Sequence, residues 1–284
     1  MQDAAKATDT LLERLLAESA SQRLASAMRY AALGSGKRLR PFLVIESARL
    51  FEVPRARALR VGAALECVHC YSLVHDDLPA MDDDDLRRGK PTTHRKFDEA
   101  TAILAGDALL TLAFEILADE ATHPDAIIRS MLVLELAKAS GKDGMAGGQM
   151  LDIEAETDAS VSLDHIMRIQ SHKTGALFRF ACEAGAIMAG TDRAPLRRYA
   201  DGIGLAFQIA DDLLDLESTP EQLGKATQKD AGKGKATIAE IMGTKAARAK
   251  AENLVASAIA TLADYGSAAE TLRAAARFII LRKR

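Results

Sequence analysis

Residues 73–89 read LVHDDLPAMDDDDLRRG. Six of these seventeen residues are Asp, and Arg87 and Arg88 close the run. The segment leading into it, GAALECVHCYSLV, is apolar. Pro79 disfavours helical geometry at Leu78, so the apolar helix is expected to end with Asp76 and Asp77. Beyond the bend, Asp82 can swing back toward Asp76. Crowded carboxylates repel one another and destabilise a fold unless cations screen them. The stretch therefore reads as a helix end that presents acids to bound cations.

A second acidic group occurs in QIADDLLDLES. Asp211 and Asp215 are four residues apart on one expected helix, so they share a face, with Asp212 adjacent. Ile209, Ala210, Leu213 and Leu214 surround them. A solvated helix face would not grow out of so apolar a helix twice. Hard divalent cations are the natural partners of such groups. Calcium asks for a loop with six to eight oxygen ligands, and neither cluster has one. Magnesium takes one or two carboxylates and completes its shell with water and phosphate oxygens. Two acidic half-shells across a cavity thus point to a phosphate or diphosphate ligand.

The basic residues fit an anion. GSGKRLRP places Lys37, Arg38 and Arg40 ahead of a helix opening at Pro41, with glycines that allow close backbone approach. Arg87 and Arg88 follow the first acidic cluster. Lys173 and Thr174 stand in SHKTGALF, and Lys225, Lys229 and Lys235 stand in LGKATQKDAGKGKAT. Together they exceed what one diphosphate needs. Two sites are expected, one bridged by magnesium and one held directly by Arg and Lys.

The remainder of the chain is read as helical throughout. Apolar residues recur at helical spacing, as in Leu11, Leu12, Leu15 and Leu16, and most of the seven prolines fall between such patterns. Helices are expected over 10–33, 41–51, 56–78, 93–119, 124–141, 143–156, 163–189, 193–217, 235–242, 245–264 and 267–281. No linker or composition shift divides residues 1–284. The expectation is one all-α domain, a bundle of helices around a central cavity. The formal net charge of −3 gives no basic field for nucleic acid. The N-terminal residues lack the uncharged core of a signal peptide, and no apolar run reaches the ~18 residues of a membrane span. Three Cys suit a reduced, cytoplasmic protein. Cys67 and Cys70, in CVHC, are read as small core residues rather than a metal or redox pair.

GKRLRP, LVHDDLPAMDDDDLRRGKPTTH, GGQMLDIEAE, HKTGALF and GLAFQIADDLLD stand here in the order and spacing of the trans-isoprenyl diphosphate synthases. The chain resembles that family over nearly its whole length, and most of all its bacterial short-chain members that make farnesyl diphosphate. The resemblance implies an isoprenoid-synthase-type helical bundle with the aspartate motifs on facing walls, a homodimer, and dependence on magnesium. It implies that Asp76 and Asp82 hold two magnesium ions with Asp77 beside them. Asp211 would help hold a third, with Asp212 and Asp215 completing the second motif. Arg87, Lys173 and Lys225 would add charge to the allylic diphosphate, dimethylallyl or geranyl, with Gln208 and Thr174 near the reacting carbons. Lys37, Arg40, His69 and Arg88 would hold isopentenyl diphosphate. The stretch KATQKDAGKGKAT departs from the family where ATIAEI follows in place of a common aromatic.

The implied reaction needs no Ser, Cys or His nucleophile. Ionisation of the allylic C–O bond leaves a carbocation, isopentenyl diphosphate attacks it, and a proton is lost to the released diphosphate. His69 and His75 are therefore read as binding or packing residues. Tyr71 lies five residues before Asp76, roughly 7.5 Å deeper at 1.5 Å per residue, and is the expected floor for the growing chain. Ser72 shares the face of Asp76 and leaves the bore open. In the members that this chain resembles, an aromatic at that position accompanies a fifteen-carbon product, with geranylgeranyl diphosphate the alternative. A terpene cyclase would not need Lys37, Arg40 and Arg88, and its pocket is usually rich in aromatics, which are 4% here. A non-catalytic subunit would be free to lose acids, and both motifs are complete.

Overall fold

The computed structural model describes residues 1–17, 20–34, 36–156, 162–217 and 237–281. The described residues are predominantly helical, as expected. Helix α1 is Gln2–Leu15 and α2 is Gln22–Ala32. One helix was expected over 10–33, but the Ser21 side chain accepts a hydrogen bond from Leu24 N and starts α2 afresh. Helix α3, Leu39–Arg49, carries Pro41 in its first turn, where a missing N–H costs nothing. Helix α4, Arg55–Asp76, ends at the first acid pair.

Between α4 and the next helix the chain forms a two-residue hairpin that the sequence pattern did not announce. Strand β1, Leu86–Arg87, pairs antiparallel with β2, Lys90–Pro91. The expected helix over 93–119 is likewise divided, into α5, Thr93–Lys96, and α6, Glu99–Ala118. Asp98 is extended there and its side chain accepts from Thr101 N, capping α6.

Helices α7, Ala126–Ser140, and α8, Met145–Ala155, follow. Helix α9, Leu163–Gln170, passes through a π turn, Ser171–Gly175, into α10, Ala176–Ala189. Helix α11, Ala194–Glu217, carries the second acidic group. After it come α12, Ile238–Met242, α13, Thr244–Ala260, a 3₁₀ segment, Ala263–Ala269, and α14, Glu270–Leu281.

Helix α4 is the hub, packed along α3 and α6. Ala58, Val61, Ala63, Ala64, Leu65, Cys67 and Val68 on it are all fully buried, so it is apolar on nearly every face. Helix α10 joins α3, α7 and α11 to the same core. Cys67, Cys70 and Cys182 are free and buried in it. Burial pushes the Cys70 thiol up to about 12 and raises the other two as well, so none offers a thiolate at neutral pH.

The expectation that no apolar run is long enough for a membrane span meets an exception in α6. Its length and mean hydropathy, 1.7, would suffice, despite Asp107 and Glu115. The composition follows from its place, since α6 packs along α4, α2 and α7.

Candidate active site

The end of α4 turns back on itself. Asp82 N donates to Asp76 O at 2.8 Å, Asp83 N to Leu78 O at 3.1 Å, and Asp84 N to Asp77 O at 3.2 Å. The bend at Pro79 thus returns Asp82 to Asp76. Burial pushes the Asp76 carboxyl up to about 6, opposed by Lys173 and Arg87 and reinforced by Asp82 and Asp77. This is a carboxylate that lacks a sufficient counter-charge.

Asp77 is in a different position. It is 3% exposed, and its Oδ1 accepts from Arg87 Nε at 2.7 Å and pairs with Arg87 Nη2 at 2.6 Å. Arg87 Nη2 also lies 3.8 Å from Asp84 Oδ2. The hairpin delivers Arg87 to this pair. Arg87 and Arg88 line a small cleft of about 70 Å³ with Asp77 and Cys70. Asp85 pairs with Arg95 at 2.9 Å, while Asp83 is exposed. The four consecutive Asp therefore have four different surroundings.

Beside this turn opens a cavity of about 410 Å³. Asp76, Arg40, His69, Tyr71, Ser72, Lys173 and Thr174 all line it, so seven residues expected at the site share one space. Met81, Met145, Met150 and Ile153 supply apolar wall, and Gln149 joins them from α8. His75 also faces it, with Nε2 3.0 Å from Ile103 O and its ring edge against Tyr71.

Lys173 sits in the π turn, a bulge that often marks functional positions. Its Nζ donates to Asp152 Oδ2 at 2.7 Å. Helix α8 reaches this turn because residue 148 is glycine. A Cβ there would lie 2.2 Å from Lys173 N.

One corner gathers cations. Arg40 Nε is buried without a hydrogen-bond partner among the described residues, and its guanidinium lies 5.2 Å from the centre of the Phe178 ring. Burial and Arg88 lower its pKa, against Glu66 and Asp211, which support the charge. Arg88 comes close to the loop before α3, where a Cβ on Gly36 would meet Arg88 Nη1 at 2.9 Å. His69 is held well below the usual imidazole range by burial, Arg40 and Arg88. It is a neutral hydrogen-bonding group at pH 7, and the charge here belongs to the arginines. Lys37 is exposed on the loop.

Arg38, two residues from Arg40, has another task. It donates to Asp9 at 2.8 Å, Glu66 at 2.7 Å and the carbonyls of Ala32 and Gly34 at 2.6 and 3.1 Å. It fastens the basic loop to α1 and α4 and is not directed at a ligand.

The second acidic group lies on α11, outside the cavity lining. Asp211 and Asp212 are half-buried, and Asp215 is exposed one turn further on. Asp212 Oδ2 accepts from Ile238 N at 2.9 Å and so fixes the start of α12. Gln208 is half-buried on the same helix. Lys225, Lys229 and Lys235 lie outside the described residues. Among the described residues no three His, Cys, Asp or Glu side chains are grouped closely enough to hold an ion by themselves.

Sequence reasoning assigned no role to Gln149, Asp152 or the methionines of α8. The signal available was GGQMLDIEAE, whose paired glycines mark close packing and whose Gln149 and Asp152 share a helix face.

The polyprenyl synthetase family pattern matches residues 21–274. The chain belongs to the polyprenyl synthetase family. Within it, the chain is 50% identical over 266 residues to the farnesyl diphosphate synthase of Escherichia coli K12, covering 90% of this chain and 88% of that one. It is 44% identical over 271 residues to the farnesyl diphosphate synthase of Haemophilus influenzae Rd, covering 94% and 91%. An FPP/GFPP synthase from Zymomonas mobilis, crystallised without ligand, superposes with a TM-score of 0.90 at 50% identity, covering 98% of this chain and 96% of that one. The expected isoprenoid-synthase-type fold is thereby confirmed. In this polyprenyl synthetase the cavity lies between the aspartate turn, the π turn and the arginine corner.

Proposed function

We propose that the chain is a magnesium-dependent prenyltransferase. It condenses isopentenyl diphosphate head to tail with dimethylallyl and then geranyl diphosphate, and it releases farnesyl diphosphate. One observation carries the reading. A desolvated carboxylate, Asp76, opens on the same apolar-walled cavity as the Arg40 cation and neutral His69, and Arg88 adds its charge to Arg40 from the adjoining cleft. One end suits a metal-bridged diphosphate and the other a diphosphate held directly. The sequences of the relatives support the fifteen-carbon product.

Asp76 and Asp82 fit magnesium, because their mutual repulsion and burial are relieved by a cation that needs few protein ligands. Asp77, Asp211, Asp212 and Asp215 are the further candidate ligands, for three ions in all. Bound there, magnesium would neutralise charge on the departing diphosphate. Lys173, released from Asp152 or shared with it, adds positive charge beside Asp76, and Arg87 does so from the hairpin. Lys225 belongs to the same group on grounds of sequence. Thr174 lines the cavity, and Gln208 on α11 is assigned to the reacting carbons on grounds of sequence. Met81, Met145, Met150 and Ile153 keep water from the cation. The C–O bond breaks with both electrons on diphosphate, the isopentenyl double bond forms the new C–C bond, and the freed diphosphate takes the proton.

We read residues 1–284 as one domain, working in the cytoplasm as a homodimer. Exposed Ile103 and Leu104 on α6, with Ile127 and Leu134 on α7, offer apolar surface for a second copy.

Incubation with labelled isopentenyl diphosphate and dimethylallyl diphosphate tests the reading. Labelled farnesyl diphosphate should form with magnesium and fail to form with a chelator, returning when magnesium is added in excess. Cyclic products, or no product under any metal condition, would reject it.

Arg40→Ala tests the two-site division. It should weaken isopentenyl diphosphate by at least about ten-fold, as expected when a buried charge-assisted contact is lost, and leave the allylic substrate within about two-fold. Calorimetric titration with each diphosphate reads this directly. Equal losses would mean that the sites are wrongly divided.

A further inference from the structure

Gly106 sits inside α6, where glycine weakens a helix relative to alanine. Such a glycine is informative when another group packs on its bare Cα. Here that group is His75 of α4. A Cβ on Gly106 would lie 2.1 Å from His75 Nε2, 2.5 Å from Cδ2 and 2.9 Å from Cε1. The imidazole therefore fills the space that any side chain at position 106 would need.

The ring is held there from two sides. Nε2 lies 3.0 Å from Ile103 O, and since a carbonyl only accepts, this nitrogen carries the hydrogen and donates it. Asp107 Oδ1 stands 3.9 Å from the same nitrogen. The other side of the ring meets Tyr71, with centroids 5.7 Å apart and planes at 78°. Tyr71 and His75 are four residues apart on α4 and so are neighbours on one face. Both line the cavity that also holds Asp76, and the His75 side chain keeps 29% of its surface accessible.

We propose that the gap at Gly106 and the Ile103 carbonyl seat the His75 ring, and that the seated ring holds Tyr71 in place and so sets the depth of the cavity and the length of the product. His75 is then a positioning residue, and the α4–α6 contact is part of the specificity of the enzyme. The inference rests on the prenyltransferase reading. It carries two opposite expectations. Without the imidazole, Tyr71 loses its brace and can turn aside, which deepens the cavity. With a methyl group at position 106, the imidazole must leave α6, and the open space beside it is the cavity, which becomes shallower. Alanine favours a helix over glycine, so α6 itself is not weakened by that change.

The test measures product length in full-length His75→Ala, Gly106→Ala and the double variant that combines them, with melting temperatures as a folding check. Each is incubated with magnesium, dimethylallyl diphosphate and labelled isopentenyl diphosphate, and the dephosphorylated products are separated by chromatography. His75→Ala should raise the ratio of products longer than fifteen carbons to farnesyl product by about five-fold, the factor that one aromatic contact is worth. Gly106→Ala should raise the ratio of ten-carbon to fifteen-carbon product by a similar factor of about five. The double variant should match His75→Ala, because the added methyl group then has no ring to displace. Unchanged products in both single variants, shifts in the same direction, or ten-carbon product that persists in the double variant would overturn the proposal. If Gly106→Ala does not fold, the products of His75→Ala decide. Wild-type protein that makes no prenyl product would instead reject the underlying reading.

Discussion

Asp76→Asn should reduce turnover by about a thousand-fold or more, near 4 kcal/mol of transition-state stabilisation, and at the same time make the metal-free protein more stable. Both effects come from one charge. The Asp76 carboxyl is pushed up to about 6 from an ordinary 3.8, first by burial and then by Asp82 and Asp77. The folded state therefore holds a proton more readily than the unfolded chain. The cost of ionising Asp76 is absent below about pH 4, grows between about 4 and 6, and is fully present above 6. At pH 7.5 the asparagine variant escapes that cost, so its metal-free melting temperature should exceed that of the wild type. The difference should shrink toward zero as pH falls to 4. Protons and magnesium compete for the same oxygens, so apparent magnesium affinity in the wild type should fall as pH drops below about 6. Calorimetric melting across this range and steady-state turnover at saturating magnesium provide the readouts. Wild-type turnover in the variant would sink the metal assignment. A lower metal-free melting temperature at pH 7.5 would show that Asp76 is already satisfied by a partner.

Tyr71→Ala should change the product itself, from fifteen carbons to twenty or more. The structure puts Tyr71 on the cavity wall with Asp76, and its ring is braced edge-on against His75 at 5.7 Å. Burial, and after it the charge on Asp76, raise the phenol pKa, so the ring is neutral at any working pH. Ser72 beside it is small, and its Oγ donates to His69 O at 2.9 Å, which turns the hydroxyl away from an apolar chain. Removing the Tyr71 ring deletes the largest side chain on this face of α4. The cavity should then extend along the helix by about one isoprene unit, since each helical turn is about 5.4 Å long. Chromatography of dephosphorylated products shows the outcome. Mostly geranylgeranyl product from the wild type would favour the twenty-carbon alternative. Unchanged farnesyl product from the variant would remove Tyr71 from the role and turn attention to Met145 and Met150 across the cavity.

The sequence by itself determined that this is a helical protein with acids at the end of α4, because those features are local. Pro79 disfavours helical geometry at the residue before it, and the apolar run of α4 is long enough to need burial. The order and spacing of the motifs were equally legible, since they are linear. Breaks made by a single capping side chain, at Ser21 and Asp98, were hidden within continuous helical patterns. The hairpin at 86–91 was too short to show alternation.

Which partner each charged residue meets was decided only by the tertiary structure. Lys37, Arg38 and Arg40 stand within four positions of one another, yet one is exposed, one is fastened to Asp9 and Glu66, and one is half-buried with a buried Nε that has no hydrogen-bond partner among the described residues. His69 is neutral because burial, and after it Arg40 and Arg88 from distant segments, disfavour the imidazolium. Asp77 belongs to Arg87, Asp212 to the start of α12, and Lys173 to Asp152. Each of these roles depends on burial and on partners from distant segments. Local sequence does not encode them, because desolvation and Coulomb energy are set by what the fold brings within a few ångströms.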